Sequence, residues 1–514
     1  MEGSATVRTV EIEDGVGLED YGGQAHLVPV VRALEAGAAA AAPLLRGRRV
    51  WMLNSTAKGG GVAEMLPKLV RLLRDLGIPT EWLVLETRRP EFFELTKRIH
   101  NLIHGVGDPR FGPAARDLYE AVSREAAAAL AARVAPGDVL IVHDPQPLGA
   151  GAILRREVPV IGVWRCHIGL DERPPAVLAA WEFLQPYATA YDHTVFTASE
   201  YIPDYLAGRA SIICPGIDPA SHKNRDLPVN KLFGILCNSG LAPEAQPVLT
   251  PPWERPALRL RPDGSFVPAG QDEIGLGYRP VVLQVSRWDR LKGWGPLLEA
   301  FARLKLRHAA GPATEDPRHR RRLELVRLVL AGPDPDSIQD DPEARDVLSG
   351  MAARYQALPP ALQRDVALLT LPMASPKENA LMVNVLQRCA VVVVQNSLRE
   401  GFGLTVTEAM WKRVAVLGSR ACGIRLQIRD GLEGRLTPDA EDPDGLADRL
   451  DAVLADARSR ELWRVRAQRR VYDEFLVFTQ VRRWIELMAA LVERRAGPGA
   501  GSSRPSADIP RRSP

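Results

Sequence analysis

The segment 399–408, Arg-Glu-Gly-Phe-Gly-Leu-Thr-Val-Thr-Glu, combines two glycines with two glutamates after the apolar run AVVVVQN. Gly401 and Gly403 allow the backbone to approach a ligand closely, and the helix predicted after them directs its first amide groups to the same place. Glu400 and Glu408 lie on either side of this turn, so both carboxylates can face one pocket. A carboxylate accepts two hydrogen bonds, which favours a hexose or a ribose diol as ligand. A helix start with acids that suit the helix dipole would account for Glu400 only.

Two cations follow another predicted strand, in the segment 286–293, Ser-Arg-Trp-Asp-Arg-Leu-Lys-Gly. Arg287 offers a planar fork of donors to phosphate oxygens, and Lys292 offers a compact charge. Together they could neutralise a diphosphate leaving group. Two surface cations are the simpler alternative, but their place before a glycine and a helix start favours phosphate binding.

Polar residues end two predicted strands of the first half, as His-Asp-Pro-Gln at 143–146 and as Trp-Arg-Cys-His at 164–167. Ligands of open α/β sheets bind at the carboxyl ends of the strands, where such side chains can bind sugar hydroxyls or phosphates. A lone histidine in such a place is more often structural. The candidates from these segments are Asp144, Gln146, Arg165 and His167.

Three glycines follow the first predicted strand of this half, in Lys-Gly-Gly-Gly at 58–61. Their amides and the helix start behind them favour an anion. The spacing matches neither the dinucleotide motif Gly-x-Gly-x-x-Gly nor the P-loop, so neither a nicotinamide nor an ATP site is predicted. A tight turn explains the three glycines equally well. The acidic run at 334–341 is interpreted as a solvated loop and not as a metal site.

The elements that must position these residues alternate between apolar strands and amphipathic helices, which predicts parallel sheets covered on both faces. The alternation stops over 219–278 and restarts at about 280, so we predict two doubly wound domains facing across a cleft. The predicted parts are an N-terminal extension at 1–47, a first domain at 48–218, an irregular inter-domain insertion at 219–278, a second domain at 279–470, a C-terminal helix at 471–495 that packs back on the first domain, and a disordered tail at 496–514.

The composition excludes several classes of protein. The chain has 514 residues with 66 Lys and Arg against 63 Asp and Glu, a formal net charge of +3, which argues against a dedicated nucleic-acid binder. Its five cysteines are widely spaced, without a Cys-x-x-Cys pair, which favours a reducing compartment. The acidic N-terminus lacks the features of a signal peptide, and no run approaches the roughly 18 apolar residues of a membrane span. We therefore expect a cytoplasmic protein without a membrane partner.

The motifs together resemble a known family. Ser-Arg-x-Asp-x-x-Lys-Gly at 286–293 with Glu-x7-Glu at 400–408 resembles the retaining glycosyltransferases of family 4, which have the GT-B fold of two Rossmann-like domains. Further segments, over about 48 to 490, resemble the trehalose-forming glycosyltransferring synthases. These segments are NSTAKGGGVAEML, FFELTKRIHNLIHG, VHDPQP, WRCHI and SLREGFGLTVTEAMWK. One departure is Cys422, which stands in Arg-Ala-Cys-Gly-Ile at 420–424 where the family usually has Val-Gly-Gly-Ile.

The resemblance implies a role for each candidate. Arg287 and Lys292 would hold the diphosphate, Glu400 would bind the donor glucose, and His167 would contact that sugar near its reacting face. Glu408 would bind the ribose. The other implied substrate-binding residues are Gly59, Gly60, Gly61, Asp144, Gln146, Arg165, Phe402, Gly403 and Leu404.

The implied reaction joins glucose from a nucleoside-diphosphate glucose to a second glucose, giving α,α-trehalose with retention of configuration, and whether it also runs in reverse stays open. No tightly bound cofactor and no metal are implied, and the partners are small sugar and nucleotide-sugar substrates. Two alternatives stay open: a retaining trehalose phosphorylase, and a non-catalytic protein that binds sugars or nucleotides on the same fold. The sequence leaves open the nucleotide base, the physiological direction, the exact acceptor and the oligomeric state, including a homo-oligomer.

Overall fold

Two β-sheets, one in each half of the chain, organise the structure, and helices cover both faces of each. The computed structural model describes residues 5–12, 15–57, 61–243, 253, 255–269, 274–311, 314–337 and 342–497.

The first sheet contains seven strands. Their bounds are β1 Thr6–Val10, β2 Val50–Asn54, β3 Thr80–Glu86, β4 Val139–His143, β5 Ile161–Arg165, β6 His193–Phe196 and β7 Ala210–Ile212. They lie in the order β1-β3-β2-β4-β5-β6-β7, and all neighbours are parallel except β1, which runs antiparallel to β3. Every residue of β2, β4 and β5 is buried, as expected of strands covered on both faces. The chain order reverses between β2 and β4, so the loops after these strands open on one crevice.

The second sheet contains eight strands. Their bounds are β8 Leu258–Leu260, β9 Phe266–Pro268, β10 Val281–Val285, β11 Arg327–Pro333, β12 Val366–Leu371, β13 Val392–Gln395, β14 Ala415–Gly418 and β15 Arg435–Leu436. They lie in the order β15-β14-β13-β10-β11-β12-β8-β9. The six strands from β10 to β15 are parallel, and the β8–β9 hairpin is antiparallel to β12. Here the chain order reverses between β10 and β13, which brings the loops at 286–293 and 396–403 together.

Eighteen α-helices surround these sheets within the described ranges. In the first half they are α1 Leu18–Gly22, α2 Val28–Leu45, α3 Gly61–Asp75, α4 Pro90–Ile103, α5 Pro113–Ala131, α6 Leu148–Glu157 and α7 Pro175–Ala188. The remaining helices are α8 Val229–Asn238, α9 Trp294–Ala310, α10 Pro317–Leu325, α11 Pro342–Gln356, α12 Pro360–Gln363, α13 Pro376–Cys389, α14 Leu404–Trp411, α15 Cys422–Arg425, α16 Pro443–Ala455, α17 Ala457–Glu474 and α18 Val477–Ala496. Several begin with proline in the first turn, where its missing N–H has no partner to lose.

The chain passes between the two halves twice, and the two crossings lie side by side. The backbone N–H of Ile217 donates to the carbonyl of Phe475 at 2.9 Å, and the N–H of Val477 donates to the carbonyl of Ile217 at 2.9 Å. A Cβ on Gly216 would lie 2.7 Å from the backbone of Leu476, so this contact excludes a side chain. After the second crossing, α18 packs against α2 and α3 of the first half.

The structure confirms two doubly wound α/β halves of GT-B type, and it corrects part of the predicted organisation. The stretch 219–278 is not irregular throughout, because it contains α8 and the β8–β9 hairpin, which extends the second sheet. The segment 1–47 contains β1 and α2, which pack into the first half. The domain boundaries stay predictions, and residues 498–514 lie outside the described part of the chain.

One described helix, α2, has the length and apolar composition that could cross a membrane. Its buried residues recur at helical spacing and face the rest of the first half, where α2 packs against α18. These residues are Val31, Leu34, Ala38, Ala41 and Leu45.

Trp484 tests the packing of α18. Its side chain is only 1% exposed and belongs to a buried apolar cluster that extends into both halves. Replacing a buried tryptophan with alanine typically costs about 3–5 kcal/mol, so we expect Trp484→Ala to lower the free energy of unfolding by that amount in a urea titration followed by circular dichroism. Glu493→Ala, an exposed position on the same helix, is the control and should change it by less than about 0.5 kcal/mol. Equal effects of the two substitutions would contradict the structural role of this contact.

Candidate active site

The candidate residues of both halves meet at the carboxyl edges of the two sheets. The hydroxyl of Tyr201, from the first half, donates to the carbonyl oxygens of Glu400 at 3.0 Å and of Gly401 at 3.2 Å. The carbonyl oxygen of His167 lies 3.4 Å from the position that a Cβ on Gly401 would take. The structure therefore brings the loop after β5 against the glycine loop after β13.

Asp144 shapes the loop that presents His167. It is one of two described non-glycine residues with a positive φ, at 62°, a conformation that aspartate tolerates better than most residues. Its Oδ1 accepts the backbone N–H of His167 at 2.7 Å, and its carbonyl accepts Trp164 Nε1 at 3.1 Å. Burial raises the pKa of Asp144 to about 6, although the His167 amide and the Arg165 charge oppose the shift. Asp144 therefore holds the loop in place.

His167 is paired with a second histidine. The Nδ1 of His143 lies 3.0 Å from the Nε2 of His167, and the two rings stack at an interplanar angle of 15°. Burial, followed by the Arg165 charge, lowers the pKa of His143 to about 3 and that of His167 well below its usual value. Both rings are therefore neutral near pH 7, and one N–H is shared between them.

Several buried polar atoms around the cleft have no hydrogen-bond partner among the described residues. A buried polar atom without a partner costs about 1–3 kcal/mol, so these atoms mark places where a polar ligand or water would be stabilised. Arg165 is 1% exposed and uses one terminal nitrogen on Thr197 Oγ1 at 3.0 Å, which leaves the other one unbound. The other such atoms in candidate segments are His143 Nε2, Gln146 Oε1 and Glu408 Oε2.

In the second half, Lys292 forms an ion pair with Glu400. Lys292 Nζ lies 2.8 Å from Glu400 Oε2, which also accepts Ser397 Oγ at 3.0 Å. Both charged side chains are mostly buried. Arg287 is different, because its side chain is 62% exposed and lies 3.5 Å from Asp289 at the rim. The two predicted phosphate cations thus occupy an inner and an outer position.

The glycine loop depends on a close approach by Gly423. A Cβ at this position would lie 2.4 Å from the Cα of Phe402, and the N–H of Gly423 donates to the carbonyl of Glu400 at 3.0 Å. The neighbouring Cys422 is buried. The departure at Cys422 therefore falls beside the residue that must be glycine. The Phe402 ring packs on Phe475, so only the backbone of Phe402 is left for a ligand.

Glu408 lies within α14 and is 4% exposed. Its Oε1 is 3.9 Å from Lys223 Nζ, and the same ammonium is 3.8 Å from Glu64 in the first turn of α3. Lys223 thus links this carboxylate to the helix that follows the glycine run. Gly61 begins α3, whereas Gly59 and Gly60 lie outside the described residues. Leu404 and Gly403, which has a φ of 85°, form the start of α14.

Two histidines that were not predicted as site residues lie at the end of α4, His100 in its last turn and His104 directly after it. The rings of His100 and His104 are 4.9 Å apart, and Arg399 donates to the carbonyl of His104. Burial lowers the pKa of His100 to about 3 and that of His104 to about 4, with Arg287 contributing to the first shift and Glu400 and Lys292 acting on the second. Their segment, FFELTKRIHNLIHG, carried the resemblance, but nothing in its spacing singled out these two rings.

Among the residues that the structure describes, no three His, Cys, Asp or Glu side chains converge in a group that could hold a metal ion. The first part of the predicted acidic loop is exposed at Asp336, and its end at 338–341 lies outside the described ranges.

Comparison with known proteins gives matches to both halves. The family described as "Trehalose synthase, N-terminal domain" matches residues 52–203, and the family described as "Glycosyl transferases group 1" matches residues 372–470. A trehalose synthase of Pyrococcus horikoshii is 31% identical over 452 residues, which are 87% of this chain and 91% of that relative.

Two solved structures share the fold. The α,α-trehalose 6-phosphate synthase of Burkholderia multivorans matches with a TM-score of 0.62 and 17% identity, over 89% of this chain and 99% of that one. The structure described as "Trehalose-6-phosphate from E. coli bound with UDP-2-fluoro glucose" matches with a TM-score of 0.59 and 16% identity, over 87% of this chain and 99% of that one.

The raised pKa of Asp144 gives a test of the loop geometry. Because the folded protein binds the Asp144 proton more tightly than the unfolded chain, ionisation of this carboxyl costs stability, and the cost grows as the pH rises from about 4 through 6. Asparagine keeps an acceptor for the His167 amide and tolerates the positive φ, but it cannot ionise. We expect Asp144→Asn to gain about 2–3 kcal/mol of unfolding free energy relative to the wild type between pH 4 and pH 7. A difference in unfolding free energy between variant and wild type that stays constant with pH would show that the pKa of Asp144 is not raised in the folded protein.

Proposed function

The chain belongs to the trehalose synthase family of glycosyltransferases, and from that premise we propose that it transfers glucose from a nucleoside-diphosphate glucose to glucose. The product is α,α-trehalose, formed reversibly and with retention at the anomeric carbon. The observation that carries this proposal is the juxtaposition of a mostly buried Lys292–Glu400 pair with the His167 loop of the other half.

The leaving diphosphate is assigned to Lys292 and Arg287. Glu400 holds Lys292 near the glycine loop, and Arg287 lies at the exposed rim. Lys292 is therefore assigned to the phosphate next to the sugar, and Arg287 to the phosphate nearer the solvent. Fixed cations that face a developing phosphate charge in a mostly dry site stabilise the transition state without reorganising. The E. coli structural neighbour binds UDP-2-fluoro glucose, a donor of the same chemical class.

The ribose of the donor is assigned to Glu408. Its carboxylate is nearly fully buried, and Oε2 has no hydrogen-bond partner within the described part of the chain. A ribose diol would supply the two hydroxyl donors that a carboxylate accepts. Lys223 offsets the charge from the other side, at 3.9 Å.

The transferred glucose is assigned to Glu400, to the backbone amides of Phe402 and Gly403, and to His167. The neutral His167 ring offers a hydrogen bond to a sugar hydroxyl without repelling the cationic character that develops at the anomeric carbon. The Asp144 carboxylate is engaged by the His167 amide, so it is not placed to activate the acceptor. The acceptor hydroxyl forms the new bond to the anomeric carbon, the bond to the phosphate oxygen breaks, and that oxygen takes the acceptor proton.

The experiment that tests the proposal is incubation of the purified protein with glucose and with ADP-, UDP- or GDP-glucose in turn. Nuclear magnetic resonance of the product should show an α,α-linked disaccharide and one equivalent of nucleoside diphosphate. The reverse reaction should form nucleotide sugar from trehalose and the same nucleoside diphosphate. Cleavage of trehalose that depends on inorganic phosphate would identify a phosphorylase, and absence of turnover with all donors would favour a binding protein.

Removal of either cation should slow the reaction strongly. Loss of one preorganised contact to a developing charge typically costs about 10²–10³ in rate, so we expect Lys292→Ala and Arg287→Ala to lower kcat by that factor. Arg290→Ala is the matched control, because Arg290 lies in the same loop but is 73% exposed and lies 3.3 Å from Glu343. If both variants kept turnover within a few-fold of the control, the two residues would be surface charges without a role in the reaction.

Alanine variants of the two glutamates should differ in their affinity for the nucleoside diphosphate. If Glu408 binds the ribose, Glu408→Ala should weaken binding of the nucleoside diphosphate by about 10- to 100-fold, because a hydrogen bond to a charged group contributes about 1.5–3 kcal/mol. Glu400 is assigned to the glucose, which the nucleoside diphosphate lacks, so Glu400→Ala should lower turnover without weakening that binding. Calorimetry with the nucleoside diphosphate checks both, and a loss of affinity in Glu400→Ala alone would overturn the division of roles.

A further inference from the structure

A cavity of about 660 Å³ lies at the C-terminal end of α14, among residues that the proposed transfer reaction does not use. The turn after α1, the segment after Ile217, the ends of α13 and α14, and α17 line it. This volume falls within the range of small-molecule sites in proteins, about 300–1,000 Å³. The cavity therefore has room for a small metabolite.

The lining of the cavity is strongly cationic. It includes Arg388, Lys412, Arg413 and Arg469 against one lining carboxylate, Asp226, and Arg469 is paired with Asp473 at 2.8 Å, outside the lining. Arg388 is paired with Asp226 at 2.9 Å, but the Asp226 side chain is 94% exposed and so lies at the outside. Arg388 also donates to Asn384 Oδ1 at 2.9 Å and to the carbonyl of Arg225 at 3.1 Å. Each guanidinium carries five N–H donors, so these contacts still leave donors for an anion. The charge balance favours a ligand with two negative charges.

Lys412 places a buried ammonium at the cavity wall. It is 7% exposed, and Nζ donates to Gln387 Oε1 at 2.7 Å, to Asn224 Oδ1 at 3.1 Å and to the carbonyl of Glu408 at 3.3 Å. All three acceptors are neutral, and burial lowers the pKa of Lys412 to about 7. The Glu408 charge opposes this shift, and the three bonds use all the ammonium protons, so an anion in the cavity would favour the charged form of Lys412 through its charge and not through a hydrogen bond.

Arg413 has an unfavourable backbone conformation. It is the second residue after α14 and has a φ of 56°, in the left-handed region where glycine is usual and where a side chain costs about 1 kcal/mol. Its Nε donates to Gln468 Oε1 at 2.6 Å, which directs the guanidinium along the cavity wall. Glycine at this position would remove the conformational cost. The presence of arginine is therefore explained if its side chain has a role, such as binding an anion.

The same cavity has aromatic walls. Trp411 is almost buried, the ring of His26 stacks on it at a centroid distance of 6.2 Å, and Tyr472 lines the wall contributed by α17. Flat apolar faces beside a cationic cluster suit a ligand with a sugar ring and a phosphate group, whereas inorganic phosphate would use only the cations.

We propose that this cavity binds a sugar phosphate, and that its occupancy is coupled to the nucleotide-sugar site through α14. Glu408, assigned above to the ribose, and Lys412 are one helical turn apart and are joined by the Lys412 bond to the Glu408 carbonyl. Asn224 and Asp226 lie in the segment that leads from the first half to the second. The coupling part of this inference rests on the proposed function, whereas the binding part does not. Coupling between two sites is reciprocal, so the nucleotide must also change the affinity for the sugar phosphate.

The binding part is tested by calorimetry of the full-length protein with glucose 6-phosphate and, separately, with inorganic phosphate. The double variant Arg413→Gly with Arg469→Ser should weaken glucose 6-phosphate binding at least tenfold, and circular dichroism should show an unchanged fold, because glycine suits the conformation at 413 and Arg469 is exposed. Arg466→Ser, an exposed position on α17 outside the cavity lining, is the matched control and should bind normally, as should Lys292→Ala.

Three results would overturn the binding part. They are absence of binding at millimolar concentration, equal affinity for glucose 6-phosphate and inorganic phosphate, and loss of binding in Lys292→Ala with retention in the double variant. The last of these would place the sugar phosphate in the active-site cleft.

The coupling part is tested by titrating the nucleoside diphosphate with and without saturating glucose 6-phosphate. We expect at least a threefold change of its affinity in the wild type and none in the double variant. No change in the wild type would overturn the coupling. Because calorimetry requires no turnover, a failure of the proposed transfer reaction would not be confused with a failure of this site.

Discussion

The glycine loop of the second half is held by a hydroxyl of the first. Tyr201 donates to the carbonyls of Glu400 and Gly401, and Gly423 donates to the Glu400 carbonyl from the other side. Since a Cβ on Gly423 would meet the Cα of Phe402 at 2.4 Å, only glycine permits this bond. The loop therefore has its observed shape only when the two halves are docked. Because the same loop carries Glu400, the arrangement of the site is inseparable from the arrangement of the halves.

Burial, more than charge pairing, determines the protonation of the first-half residues. His143 and His167 are neutral because burial disfavours their charged forms, the Arg165 charge adds to this effect, and one hydrogen bond joins the two rings. Burial disfavours the ionised form of the Asp144 carboxyl, whereas the backbone N–H of His167, which donates to it, favours that form. In a low-dielectric site such fixed dipoles act on a ligand without reorganising, which is the physical basis of electrostatic preorganisation.

Sequence reasoning predicted the two doubly wound halves because buried parallel strands give continuous apolar runs, such as VLIVH in β4. It missed the β8–β9 hairpin, since strands of three residues between prolines and glycines leave no periodicity. It predicted that the two cations, Glu400 and the strand-end polar residues follow buried strands and that Glu408 lies inside the next helix, as the structure has them, whereas their roles stay predictions. The His100 and His104 pair, the bond from Tyr201 and the need for glycine at 423 depend on packing between distant segments, which spacing along the chain does not reveal.

The topology places the proposed sugar-phosphate cavity beside the connection between the two halves. Ile217 and Val477 join the two chain crossings by backbone hydrogen bonds, and Gly216 packs directly on Leu476, so these crossings form one narrow connection. The cationic cavity lies beside it, lined by Pro219 on the first crossing and Tyr472 just before the second. A molecule bound there would contact the connection and the end of α14 at once. Any motion of one half relative to the other must change the backbone conformation at these two crossings. A ligand in the cavity would contact residues of both crossings and could therefore favour one arrangement of the halves.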